Sequence, residues 1–238
     1  MVLNNFRSQG ERILGPTAKR LAQKPGAADR LTWASLPVAV LAGACFYMAS
    51  AAAPWLLILG GVLVLINAGL DALDGMVARH AGTSSPAGDF LDHAIDRYAD
   101  MFVIGGLTFC AFGSLLWGFL ALTGVFITSY LGTQAAAVGL KRDYGGLMGR
   151  ADRLVLLIVV PIVQGALLMG GVGAFYRLPI GDGPFPYPFS PYLTLIGFLL
   201  LVLGAFGHLT AIQRFRRARM ALASANPGTP GDGPKNPP

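Results

Sequence analysis

Apolar runs of roughly 20 residues recur along this chain, and a run of that length crosses a bilayer as a helix. Six such spans are predicted, at about 33–53, 54–78, 90–113, 115–139, 152–173 and 191–212. The turns after the first and third are very short. Short segments of alternating hydrophobicity, the signature of a β-barrel, do not occur. Trp33, Trp55 and Trp117 fall near span ends, as interfacial aromatics do. Pro37 and Pro161 lie inside apolar runs, a placement that kinks helices.

Ahead of the first span, residues 1–31 interleave Arg7, Arg12, Lys19, Arg20, Lys24 and Arg30 with Leu3, Phe6, Ile13, Leu14, Ala18 and Leu21. This predicts an amphipathic arm on the membrane surface, broken or restarted at Gly15-Pro16. It lacks the early apolar core of a cleavable signal peptide. Residues 216–238 read as a disordered tail, most clearly in the Pro- and Gly-rich stretch from 221. The organisation is therefore 1–31 arm, 32–215 membrane domain and 216–238 tail, an all-α polytopic fold of six transmembrane helices plus a surface helix.

Composition agrees. Of the 238 residues, 54% are hydrophobic and 13% charged, against about 25% charged in soluble domains. The net charge of +6 implies topology and anionic lipid headgroups as its partners, not nucleic acid. Basic residues gather in the arm, the 79–87 loop, the 140–153 loop and the tail, with only Arg177 in the 174–190 loop. The positive-inside rule then puts both termini in the cytoplasm of a plasma-membrane protein. Cys45 and Cys110, far apart and apolar-flanked, read as core residues and not as a disulfide or metal site.

One segment breaks the apolar pattern. Asp71 and Asp74 are spaced i, i+3, and Asp92 and Asp96 i, i+4, so each pair shares a helix face. A carboxylate at a bilayer-embedded helix centre costs about 2.5–3.5 kcal/mol on translocon scales. Arg79 and Arg97 are the only basic residues among them. Divalent cations, Mg²⁺ or Mn²⁺, suit such all-oxygen ligands. A short loop lets the second and third spans present the pairs to each other, and two ions would suit an in-line displacement at phosphorus. Gly75 and Ala78 lie on or near the acidic face, where small residues serve either close helix packing or the approach of a nucleotide. Arg79 reads either as a positive-inside anchor or as a phosphate ligand.

Asp71, Asp74, Gly75, Ala78, Arg79, Gly88, Asp92 and Asp96 together match, at every spacing, the signature of the CDP-alcohol phosphotransferases, and residues 30–215 resemble that family as a whole. The resemblance implies that Asp71, Asp74 and Asp92 bind two Mg²⁺ or Mn²⁺ ions. Asp96 would contact metal and act as general base. The CDP moiety would lie against Asp71, Gly75, Ala78 and Arg79, with Gly88 giving clearance, and the protein would be a homodimer. Asp89 and Asp100 extend the acidic face of the third span outside the signature, in supporting roles. His93 reads as a packed or loop-facing residue, His208 as a packing residue, and Asn67 as either a nucleotide contact or a buried amide.

Lys141, Arg142, Arg150 and Arg153, set among glycines, form a second candidate site, an anion pocket for a polar acceptor. The segment from Ser129-Tyr130 to Leu154 resembles phosphatidylinositol-phosphate synthases and their archaeal archaetidyl counterparts. It departs from them at Gly132-Thr133-Gln134 and Ala136, which lack two cations expected there. The function implied is transfer of a phosphatidyl or archaetidyl group from a CDP-linked lipid to a polar, phosphorylated alcohol such as inositol phosphate or glycerol phosphate, releasing CMP. Serine or another alcohol as acceptor, or a soluble CDP-alcohol as donor, uses the same chemistry. An ion-coupled transporter would spread its carboxylates along a path through several helices. Here they cluster towards one membrane face.

Overall fold

The computed structural model describes residues 2–141, 143, 145–172 and 194–225. The described residues form seven helices: α1 Val2–Leu21, α2 Ala27–Met48, α3 Trp55–Ala81, α4 Pro86–Phe109, α5 Leu115–Ala137, α6 Arg150–Met169 and α7 Leu195–Ala225. The protein is an all-α polytopic membrane protein. Of these helices, α2, α3, α5, α6 and α7 are long and apolar enough to cross a bilayer. The expected span at 90–113 corresponds to α4, whose first 15 of 24 residues carry Asp89, Asp92, Asp96, Arg97 and Asp100. Its second half buries Val103, Ile104 and Leu107 in the same core as Phe46, Leu57, Leu157 and Leu200 from its neighbours.

Helix ends differ from the predicted spans in both directions: α2, α4, α5 and α6 stop two to five residues short at their C-terminal ends, while the start of α2 and the end of α7 run well beyond the apolar segment. α2 begins at Ala27, not 33, and α7 continues to Ala225, so the tail expected from 216 starts as helix. Apolar runs report where the lipid lies, whereas a backbone stays helical beyond the lipid as long as its caps and charges permit. Asp29 in the first turn of α2 favours such an extension through the helix dipole. α1 runs unbroken through Gly15-Pro16. Pro16 removes one amide donor, and it sits on an exposed face where water replaces the lost bond. Ala18, Leu14 and Leu21 of α1 pack against Leu73, Met76 and Val77 of α3. The expected outer loop at 178–191 and residues 226–238 lie outside the described residues.

The hairpin of α3 and α4 positions the acidic pairs. Gly82 ends α3 at φ 67°, a conformation that favours glycine. Ser85 then caps α4 by accepting the Gly88 amide proton at 3.2 Å, with Pro86 opening the helix and Asp89 in its first turn. Four residues thus reverse the chain, bringing the end of α3 alongside the start of α4. α2 and α4 touch backbone to backbone at Gly43 and Gly106. A Cβ on Gly106 would lie 2.2 Å from the Gly43 carbonyl oxygen.

Candidate active site

Asp71 and Asp74 on α3 meet Asp92 across the hairpin, with one carboxylate oxygen of each lying within 4.8 Å of the others. Asp74 is buried and accepts a hydrogen bond from Thr32 Oγ1 of α2 at 2.6 Å. Asp96, also buried, lies one turn further along α4 and pairs with Arg150, the first residue of α6. The same guanidinium reaches Asp71 Oδ1 at 3.2 Å. One arginine therefore links the two acidic pairs. Three converging carboxylates with only oxygen donors fit a hard divalent cation such as Mg²⁺ or Mn²⁺.

Two cavities flank this cluster. The first, about 260 Å³, is lined by Thr32, Asp74, Gly75, Ala78, Arg79, Gly88 and Asp92, with Asp29 and Asp89 at its edge. Four of these groups are carboxylates and one is a cation. The second, about 290 Å³, is lined by His93, Asp96, Arg97, Thr128, Ser129, Arg150, Arg153 and Arg214. Its single carboxylate faces four guanidiniums. The first cavity is therefore suited to a ligand that arrives with cations, and the second to an anion. Asp92 faces one and Asp96 the other, so a group passing between the cavities crosses the acidic cluster.

Of the four signature acids, Asp71, Asp74 and Asp92 converge as a group, and Asp96, read as a fourth metal ligand, lies outside it against Arg150. Arg79 is exposed and its Nη1 would lie 3.5 Å from a Cβ on Gly75, so the guanidinium lies over the bare backbone there. The acceptor candidates divide. Arg150 and Arg153 line the arginine-rich cavity, but Lys141 does not. The chain turns at Gly139, φ 84°, and carries Lys141 into a separate cavity with Asp143 and Arg217. Arg142 lies outside the described residues. Asp100 lies 3.0 Å from Arg97 and 3.6 Å from Arg153. Asn67 is a buried amide that donates to the Ser35 carbonyl of α2 at 2.8 Å. His208 packs with its Nε2 3.2 Å from Thr123 Oγ1. His93, read as a packed or loop-facing residue, lines the arginine-rich cavity with its Nδ1 2.6 Å from the Asp89 carbonyl oxygen.

Thr32, Arg97 and Arg214 are site residues that the sequence reading did not assign. Thr32 sits in an ordinary apolar helix with no motif around it. Arg214 belongs to a run of basic residues whose plain meaning is membrane orientation. Arg97 is the one with a local signal, being the residue next to Asp96.

The CDP-alcohol phosphatidyltransferase profile matches residues 27–181, from the start of α2 to beyond α6. The chain belongs to the CDP-alcohol phosphatidyltransferase family. As a member of that family it is a transferase of phospholipid synthesis, and the matched region holds all four acids of the cluster. The chain is 30% identical to the archaetidylinositol phosphate synthase of Methanothermobacter thermautotrophicus, over 90% of this chain and 92% of that one. It is 31% identical to the phosphatidylinositol phosphate synthase of Cutibacterium acnes, over 94% of this chain and 100% of that one. Among solved structures it is similar to the phosphatidylinositol phosphate synthase of Mycobacterium tuberculosis with CDP-DAG bound. The TM-score there is 0.63 at 25% identity, covering 87% of this chain and 94% of that one.

Proposed function

We propose that this CDP-alcohol phosphatidyltransferase moves a phosphatidyl or archaetidyl group from a CDP-linked lipid to the hydroxyl of inositol phosphate, releasing CMP. The observation that carries this reading is the cavity in which Arg97, Arg150, Arg153 and Arg214 surround the approach to Asp96. Guanidiniums pair with phosphate bidentately, so a cavity with four guanidiniums and one carboxylate favours an acceptor that brings its own phosphate over a neutral one. The archaeal and bacterial relatives named above, synthases of inositol phosphate lipids, support the same acceptor. A Cβ on Gly132, one of the positions that lack the cations expected by resemblance, would lie 2.9 Å from Arg214 Nη1, so a guanidinium from α7 stands beside that position.

CDP occupies the carboxylate-lined cavity, with Arg79 on its diphosphate and Gly75, Ala78 and Gly88 leaving room along α3 and α4. Asp71, Asp74, Asp92 and Asp96 would hold divalent ions, whose charge would offset that of the diphosphate. Asp96 takes the proton of the acceptor hydroxyl as its oxygen bonds to the lipid-side phosphorus. The bond from that phosphorus to the bridging oxygen breaks, and CMP departs with the electron pair. Arg150 touches both Asp96 and Asp71, so the group that meets the acceptor's phosphate also orients the base.

The enzyme is read as a plasma-membrane homodimer in which α4 is a sixth span and both termini and the active site face the cytoplasm. The distribution of basic residues supports that orientation. The 32–215 segment, with α7 extended, forms the catalytic domain. A panel of acceptors offered with CDP-diacylglycerol and Mg²⁺ tests the assignment. Inositol phosphate is expected to give the highest kcat/KM, and Arg153→Ala to raise its KM roughly ten-fold or more, the loss of a charge-assisted hydrogen bond. Equal turnover of unphosphorylated inositol or serine would remove the phosphate pocket.

A further inference from the structure

The α5–α6 loop ends at Gly149, immediately before Arg150, so whatever fixes this loop fixes the first arginine of the acceptor cavity. It is fixed from the extension of α7. Arg217 Nε donates to Asp143 Oδ2 at 2.9 Å, and its Nη2 lies 2.8 Å from the same oxygen. The other oxygen of Asp143 accepts the Gly145 amide proton at 2.8 Å, closing an Asx-type turn. Three residues earlier on α7, Arg214 Nε donates to the Gly145 carbonyl at 3.0 Å. The fit is close. A Cβ on Gly146 would lie 2.1 Å from Thr210 Cγ2, and one on Gly145 3.2 Å from Arg217 Nη2. Arg217 itself lines the cavity that holds Lys141, not the one that holds Asp96.

We propose that the Arg217–Asp143 pair is a latch through which α7 positions Arg150 and Arg153 for the acceptor's phosphate. Both members are positioning residues, and the inference rests on the acceptor reading given above. An ion pair this exposed, with the Arg217 side chain 49% accessible, contributes little to global stability. Its effect is local. A loosened loop frees the backbone that carries Arg150 while its guanidinium stays tied to Asp71 and Asp96, and misplacing a substrate-positioning group lowers productive binding without unfolding the domain.

The test uses the full-length enzyme in detergent micelles containing CDP-diacylglycerol, with Arg217→Gln, Asp143→Asn and the double variant. Each single change is expected to raise the KM for inositol phosphate about five-fold, with the CDP-lipid KM changed by less than about two-fold, and the double variant no worse than either single one. Arg217→Lys should recover part of the loss. Hydrogen exchange at the amides of residues 145–153 should quicken in the same variants while exchange in α3 and α4 stays unchanged. Multiplying effects in the double variant, parallel shifts in both KM values, or unaltered exchange would each overturn the latch. Failure of the wild type to use any phosphorylated acceptor would sink the acceptor reading, and the exchange measurement alone would then decide the latch.

Discussion

Asp74 owes its place to Thr32, a residue of another helix, and that contact has a measurable consequence. A hydroxyl that donates to a ligating carboxylate orients it for its metal. Loss of such a partner lowers metal affinity about 10–100-fold. Thr32→Val should therefore raise the Mn²⁺ concentration for half-maximal activity at least about ten-fold, while Thr32→Ser stays near the wild type. An unchanged metal requirement in Thr32→Val would show that Asp74 needs no support. The carboxylates themselves were legible in the sequence because a charged group in an apolar run is conspicuous without any knowledge of the fold. Thr32 and Arg214 were not, because their meaning depends on which helix they face. Lys141 was misplaced for a related reason. Its proximity to Arg150 along the chain is undone by the turn at Gly139.

Between helices, small residues set how closely backbones approach. Gly106 has no room for a side chain against Gly43, since backbone atoms, not a flexible side chain, would meet the new Cβ. Gly105, its neighbour, has nothing within 4 Å of the same position. Gly106→Leu is thus expected to destabilise the protein by about 1–3 kcal/mol or more, and Gly105→Ala by less than about 0.5 kcal/mol, in thermal or denaturant unfolding in detergent. Similar stability of the two variants would mean that α2 and α4 do not touch there. Element type was readable from hydropathy, and the α3–α4 turn from its glycine, serine and proline. The start of α2 and the far end of α7 were not, because the pattern that reveals a span stops at the lipid boundary while the helix there does not. The acidic first part of α4 shows the converse. Its charges lower its hydropathy and serve the site.

The whole molecule sorts its charges by side and by cavity. Carboxylates dominate the cavity beside Asp74, guanidiniums the one beside Asp96, and the α7 extension adds Arg216, Arg217 and Arg219 beyond them. Labelling can test the orientation directly. Cysteines introduced by Ser84→Cys and Ala221→Cys should resist an impermeant maleimide in intact cells and react in inverted vesicles. Labelling of either in intact cells would reverse the topology. The central claim is that the acidic cluster between the cavities carries out metal-dependent transfer with Asp96 as base. The most direct measurement is CMP release by purified wild type and Asp96→Asn, with and without a chelator, given CDP-diacylglycerol and inositol phosphate. Release is expected only when the divalent ion and both substrates are present, at a rate about 10²–10⁴-fold lower in Asp96→Asn with the CDP-lipid KM nearly unchanged. Equal rates in the two proteins, or release that survives chelation, would contradict the central claim.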